Sequence, residues 1–130
     1  MAVFSSFNVV VNELYIRNNN LPLGNYNIKP QIQRKIGKSN VEEGMYIVEL
    51  KAEFHNTPED PFPIELIASV SGVFVIKDEE ENKANEFLKK QGFQMVFPYL
   101  RSLVSSITAT AMMPPILLPI VYADQFKDED

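Results

Sequence analysis

Apolar and polar positions alternate with period two through most of residues 7–77, and the pattern turns helical after that. Phe7–Arg17 is rich in β-branched and aromatic residues. Its alternation begins with Phe7, Val9 and Val11 and resumes out of phase at Leu14 and Ile16, which predicts a bulge or bend at Asn12-Glu13. Asn18–Gly24 follows as a loop. A second strand places Tyr26, Ile28, Ile32 and Ile36 on one face and Asn27, Lys29, Gln31, Gln33 and Lys35 on the other; Arg34 interrupts the apolar side. Pro30 has no N–H to give to a ladder, so this strand is expected at an edge or bulged.

After the turn Glu42-Glu43-Gly44, a third strand carries Tyr46, Val48, Leu50, Ala52 and Phe54 on one face. The proline-bearing turn 56–63 leads to a fourth strand at about Ile64–Lys77, with Ile64, Leu66, Ala68, Val70, Phe74 and Ile76 on a shared face. Short connections favour an antiparallel meander, with a Greek key as the related order.

Asp78–Asn82 opens a helical stretch, its acids complementing the helix dipole. Gly92 and Pro98 predict a break: a short helix near Ala84–Gln91, then a second starting close to Pro98. Leu100, Val104, Ile107 and Ala111 form the apolar stripe of the second helix, widened by Leu103. Ser102, Ser105, Ser106 and Thr108 form its uncharged polar side. The segment Met112–Tyr122 is intensely apolar but holds Pro114, Pro115 and Pro119, so it must run extended. The expected fold is α+β: a four-stranded antiparallel sheet, a broken long helix and a proline-rich tail, in one domain over residues 1–130.

Composition narrows the function. The 130 residues are 45% apolar with a net charge of -5, a globular composition without the basic footprint of a nucleic-acid binder. Cysteine is absent, which excludes disulfides, thiolate metal sites and cysteine nucleophiles. Met1–Val11 carries no Lys or Arg and does not read as a signal peptide, and no apolar run approaches the ~20 residues that span a bilayer. The expectation is a cytoplasmic protein without membrane insertion.

No residue stands out as a catalyst. His55 is the single histidine, so neither a typical metal site nor a Ser-His-acid triad has a signature. Asp78–Glu81 lacks the spacing of a calcium loop and reads as a solvated helix entrance. Gly72 and Gly92 form no phosphate cradle, and Glu59-Asp60 sits in a turn. No enzyme activity, metal or cofactor is expected. Surplus apolar surface on the second strand, the fourth strand and the tail points instead to subunit contacts or a binding groove.

Several strings, in order, resemble the SecB export chaperone family and its shorter relatives. Phe97-Pro98-Tyr99-Leu100-Arg101 is similar to the motif at the head of that family's long helix. Pro115-x-Leu117-x-Pro119-Ile120-x-Tyr122-x-x-x-Phe126 resembles its proline-rich crossover. Ser71-Gly72-Val73-Phe74-Val75-Ile76, Ile28-Lys29-Pro30-Gln31-Ile32 and Tyr46-Ile47-Val48-Glu49-Leu50 resemble its strand motifs. The resemblance implies an ATP-independent holdase assembled as a dimer of dimers, binding unfolded polypeptides in apolar grooves. Carried over, the groove residues are Ile28, Ile32 and Ile36 with Phe74 and Ile76 nearby, and Leu117, Ile120 and Tyr122 form the crossover wall.

Three departures accompany it. The family's second helix, and its C-terminal extension, which helps recruit the translocation motor, are expected to have no counterpart here. Ile16 and Asn20 fall where the family carries acidic motor-docking residues, and Arg34 replaces an apolar groove position. The motor is therefore a doubtful partner. The leading expectation is a chaperone that is a dimer or tetramer. The alternatives are an adaptor on the same fold that binds one defined protein partner, and a small-molecule enzyme or binder.

Overall fold

Four of the alternating segments become strands of one antiparallel sheet: β1 (Phe4–Asn18), β2 (Gln31–Lys38), β3 (Met45–Phe54) and β4 (Ile64–Ile76). The computed structural model describes residues 4–22, 24–27, 29–77 and 80–126. The sheet order is β1-β4-β3-β2. Strands β2, β3 and β4 form the expected meander, but β1 pairs with β4 and not with β2, so the whole is a Greek key. The connection 19–30 carries the chain across the sheet. Asn19 anchors its start, donating its backbone N–H to the Pro63 carbonyl at 2.8 Å.

Register explains the alternation. On one face Phe7, Val9, Val11, Leu14 and Ile16 oppose Phe74, Gly72, Val70, Ala68 and Leu66. These in turn oppose Tyr46, Val48, Leu50, Ala52 and Phe54. The phase change predicted in β1 is a bulge between Val11 and Glu13. The extra residue, Asn12, donates its amide to Ser71 Oγ at 2.6 Å and Ser69 Oγ at 3.3 Å on the outer face. Pro30 falls just before β2, which is an edge strand as its proline requires. Gly44 closes the β2–β3 turn at φ 79°, and a side chain there would meet the Ile76 carbonyl oxygen at 2.6 Å.

The helical stretch is longer than its glycine and proline suggest. Helix α1 (Glu81–Phe87) passes through a π-helical turn at Leu88–Gly92 directly into α2 (Phe93–Thr110). The expected break is thus a widened turn, and Pro98 lies inside α2 instead of starting it. Pro98 and Gln94 are both exposed, so the carbonyl that Pro98 cannot serve stands toward water. The buried stripe of α2 is Phe93, Val96, Phe97, Leu100, Val104 and Thr108. Ala111, expected on the stripe, is exposed beyond the helix end.

Thr108, expected on the polar side, is fully buried. Its hydroxyl donates to the Val104 carbonyl at 2.9 Å and accepts the Ile116 N–H at 3.0 Å. It satisfies both the helix and the returning tail, which makes its burial tolerable. Met112 turns the chain back in the left-handed conformation at φ 63°. The N–H groups of Met112 and Met113 close the helix end on the carbonyls of Ala109 and Thr108.

Helix α2 seats mainly on β4 and β3. The seat is tight at Gly72, where an added Cβ would lie 2.3 Å from Val96 Cγ2. Gly72→Ala is therefore expected to lower stability by about 1–3 kcal/mol, read as a fall in the urea midpoint. Adding Val96→Ala should recover part of that loss. Strictly additive losses would show that this contact does not set the helix position.

Candidate functional site

Reaction chemistry has no assembled centre among the described residues. No group of three metal-ligating side chains occurs there, and no buried side-chain polar atom is left without a partner. His55 lies at the end of β3 between two carboxylates, with Nδ1 2.8 Å from Glu65 and Nε2 3.4 Å from Glu53. Its hydrogen bond to Glu65 raises its pKa above the ordinary 6.5, assisted by Glu53. Glu65 is lowered below 4.5, first by the Asn56 N–H that it accepts at 2.7 Å and then by His55. The cluster faces water and ties the 55–65 turn to β4; beside it lies a depression of about 10 Å³ lined by Phe54, His55, Asp60 and Phe62.

Apolar surface is the more distinctive feature. The proline-rich segment runs back from Met113 as a strap. Ile116 and Leu118 are buried, while Leu117, Ile120 and Tyr122 stand 65%, 65% and 63% exposed. Pro114, Pro115 and Pro119 offer no backbone donors, so the strap has few means of joining a ladder and is held by what its inward side chains bury. Arg101 adds one fixed point, its Nε donating to the Leu118 carbonyl at 3.0 Å. A short 3₁₀ turn at Ala123–Gln125 ends the strap.

Strand β2 lies near that end. Ile32, Arg34 and Ile36 share its core-side face, each half-buried, and oppose Ala52, Leu50 and Val48 of β3. Arg34, which breaks the apolar pattern in the sequence, reaches the strap: Nη1 donates to the carbonyls of Lys89 at 2.9 Å and Ala123 at 3.3 Å. Its guanidinium lies 5.1 Å from the centre of the Phe126 ring. A lone cation on an otherwise apolar strand face was the available signal that carbonyls would meet it.

The groove residues expected from the sequence divide into three groups. Ile32 and Ile36 flank Arg34 on the core-side face of β2, each half-buried. Leu117, Ile120 and Tyr122 stand on the strap's outer surface. Phe74 and Ile76 are 0% and 3% exposed and belong to the core under the helix, so neither offers surface to a ligand. Their place on the fourth strand hid this, because the sequence does not say which part of a face the helix covers. Ile28 lies outside the described residues.

Depressions are rimmed by polar groups. One of about 260 Å³ is lined by Arg34, Lys89, Lys90, Ala123, Asp124 and Phe126. One of about 750 Å³ lies along the helix between Lys83, Phe87, Lys90 and Gln94. Neither includes Leu117, Ile120 or Tyr122.

Among the described residues, no helix is long and apolar enough to cross a membrane. The family profile described as Preprotein translocase subunit SecB matches residues 6–129. An uncharacterized protein of Methanocaldococcus jannaschii is 39% identical over 57 residues, 44% of this chain and 37% of that protein. Protein-export protein SecB 1 of Polaromonas naphthalenivorans is 28% identical over 86 residues, 66% of this chain and 56% of that protein. The matches thus span little more than half the length of these curated relatives at most. Among solved structures, the Mycobacterium tuberculosis Rv1957 SecB-like chaperone, in complex with a ChAD peptide from the Rv1956 HigA1 antitoxin, has the same fold. Its TM-score is 0.71 at 12% identity, over 92% of this chain and 90% of that one.

The His55 cluster yields a pH prediction. A raised histidine contributes stability below 6.5 that is lost as pH rises through its folded pKa. A lowered glutamate contributes stability above 4.5 that is lost as pH falls through its folded pKa. The pair is thus fully charged and effective between those values. His55→Gln should lower the urea midpoint most near pH 5.5, the middle of that window, and match the parent at alkaline pH. An equal difference at all pH values would show that the ionic pairing contributes nothing.

Proposed function

The chain belongs to the SecB family, a family of chaperones, and we propose that it acts as an ATP-independent holdase for unfolded polypeptides. The observation that carries this is the outward row Leu117, Ile120 and Tyr122 on a strap whose neighbours Ile116 and Leu118 are anchored in the core. Burying each outward side chain against an apolar client segment would contribute about 1–2 kcal/mol. Such contacts are non-directional, so unrelated sequences can be held without a sharp recognition motif. Ile32 and Ile36, half-buried on β2, are further candidates for the same groove. Holding an unfolded chain lowers the concentration free to aggregate.

A second reading, an adaptor for one defined partner, is favoured by one observation: the SecB-like chaperone of M. tuberculosis was solved with a peptide from a single antitoxin. Binding to several unrelated unfolded chains separates the holdase from the adaptor. Delivery to a translocation motor is not part of the proposal, because Ile16 and Asn20 bring no negative charge to the positions where the family docks it.

Self-association belongs to the same proposal. Strand β1 is a 15-residue edge strand, and Val10, Val11, Leu14 and Tyr15 are 48%, 55%, 41% and 45% exposed across its two faces. A long apolar edge invites pairing with a second copy. The uncharged outer side of α2, with Tyr99 51% exposed beside Ser102 and Ser106, suits a further contact that would make a tetramer.

At near-equimolar ratio and without ATP, the protein should suppress light scattering from an aggregating denatured client. Combined Leu117→Ser, Ile120→Ser and Tyr122→Ser should raise the amount required by at least about tenfold with little change in urea midpoint. Unchanged scattering at several-fold excess of the parent would end the holdase reading. By size-exclusion chromatography with multi-angle scattering, the mass should be at least twice the chain's 14.8 kDa at micromolar concentration. Val11→Lys should shift it downward, and a stable parent monomer would overturn the assembly.

A further inference from the structure

Arg34 joins three segments that are far apart in sequence. It projects from the middle of the β2 row between Ile32 and Ile36. One nitrogen bridges the Lys89 carbonyl of the π-helical turn and the Ala123 carbonyl of the strap's last turn, at 2.9 and 3.3 Å. The guanidinium plane also meets Phe126, whose ring lies 5.2 Å from that of Phe93 on α2.

The two ends of the strap are held differently. Its near end is part of the core through Leu118, the Ile116–Thr108 hydrogen bond and Arg101. Its far end rests on Arg34 and on the half-buried Val121, Ala123 and Phe126, beside the depression of about 260 Å³. Charge-assisted hydrogen bonds and a cation–π contact hold such an end firmly but reversibly, whereas an apolar residue at position 34 would provide neither.

We infer that Arg34 is a latch: it holds the turn Ala123–Phe126 over the apolar row of β2, so that the strap's end and an extended unfolded chain compete for Ile32 and Ile36. This rests on the holdase proposal and adds a regulation to it. With the latch closed, only the strap's outward row is offered. With it open, the row on β2 is offered as well, and apparent affinity rises with the fraction of open molecules.

The test uses the full chain. Arg34→Met keeps an apolar stem and removes the donors, and Phe126→Ala loosens the same turn without touching β2. Hydrogen–deuterium exchange read by mass spectrometry should show residues 119–126 exchanging faster in both variants, by about tenfold to a hundredfold for Arg34→Met. Segments 46–54 and 66–76 should stay protected. Arg34→Lys, which keeps the charge and loses the planar fork, should be intermediate. Reduced, carboxymethylated lactalbumin, a permanently unfolded probe, should bind both loosened variants about three- to tenfold more tightly than the parent.

Unchanged exchange of 119–126 in Arg34→Met and Phe126→Ala overturns the latch. Faster exchange with equal or weaker lactalbumin binding overturns the competition, since the turn would then be part of the client's wall. If neither parent nor variants bind lactalbumin, the holdase proposal and the competition fall together, while the exchange of 119–126 still decides whether Arg34 holds the turn. If Arg34→Met loses protection throughout, the result with Phe126→Ala decides.

Discussion

A helix about 10 Å across cannot roof four strands spaced about 4.8 Å apart. In this protein α2 settles on the two central strands, where Gly72 lets Val96 sink against β4. Both flanks of the sheet are then left to other cover, and the chain treats them differently. On the β2 side the strap returns, buries Ile116 and Leu118, and is met by Arg34. On the β1 side no later segment returns to cover the free edge among the described residues, and Val11 and Leu14 remain exposed on the face that elsewhere forms the core.

The strap follows from its prolines. A tail with ordinary residues would be free to add a strand to the open edge of β2 or to continue the helix. Pro114, Pro115 and Pro119 remove the donors that either would use. What remains is an extended segment held by its inward side chains and by the few backbone groups that meet Thr108, Arg101 and Arg34, while Leu117 and Ile120 face outward. Thr108 is the joint between helix and strap, buried only because two carbonyls and one N–H satisfy its hydroxyl. Among the described residues, the strap offers apolar surface, and the titrating cluster around His55 belongs to the turn that closes the β3–β4 connection.

Alternation in the sequence makes the four strands legible, along with the bulge at Asn12, the edge position of β2 from Pro30 and the extended tail from its prolines. The family strings around Phe97-Pro98 and Pro115–Phe126 agree with the fold found. Less legible were the places where local rules compete with packing. Gly92 and Pro98 argued for two helices, yet widening one turn costs less than exposing the apolar stripe that runs from Phe93 to Val104. Thr108 belonged to the polar side by type and lies in the core because the tail needed a partner there. Phe74 and Ile76 shared a strand with groove candidates and proved to be core.

By itself the sequence determined the period of the four strands and of the helical stretch, and so most of which side chains share a face. Period is a local property, set by backbone geometry and by where water is excluded along one segment. Only the tertiary structure decided that β1 lies beside β4, which stretch of each face the single helix covers, and that Arg34 meets Ala123 and Phe126. Those outcomes depend on segments far apart in the chain, 24 residues for Gly72 and Val96 and 55 and 89 for Arg34 and its carbonyl partners, competing for the same limited width of sheet.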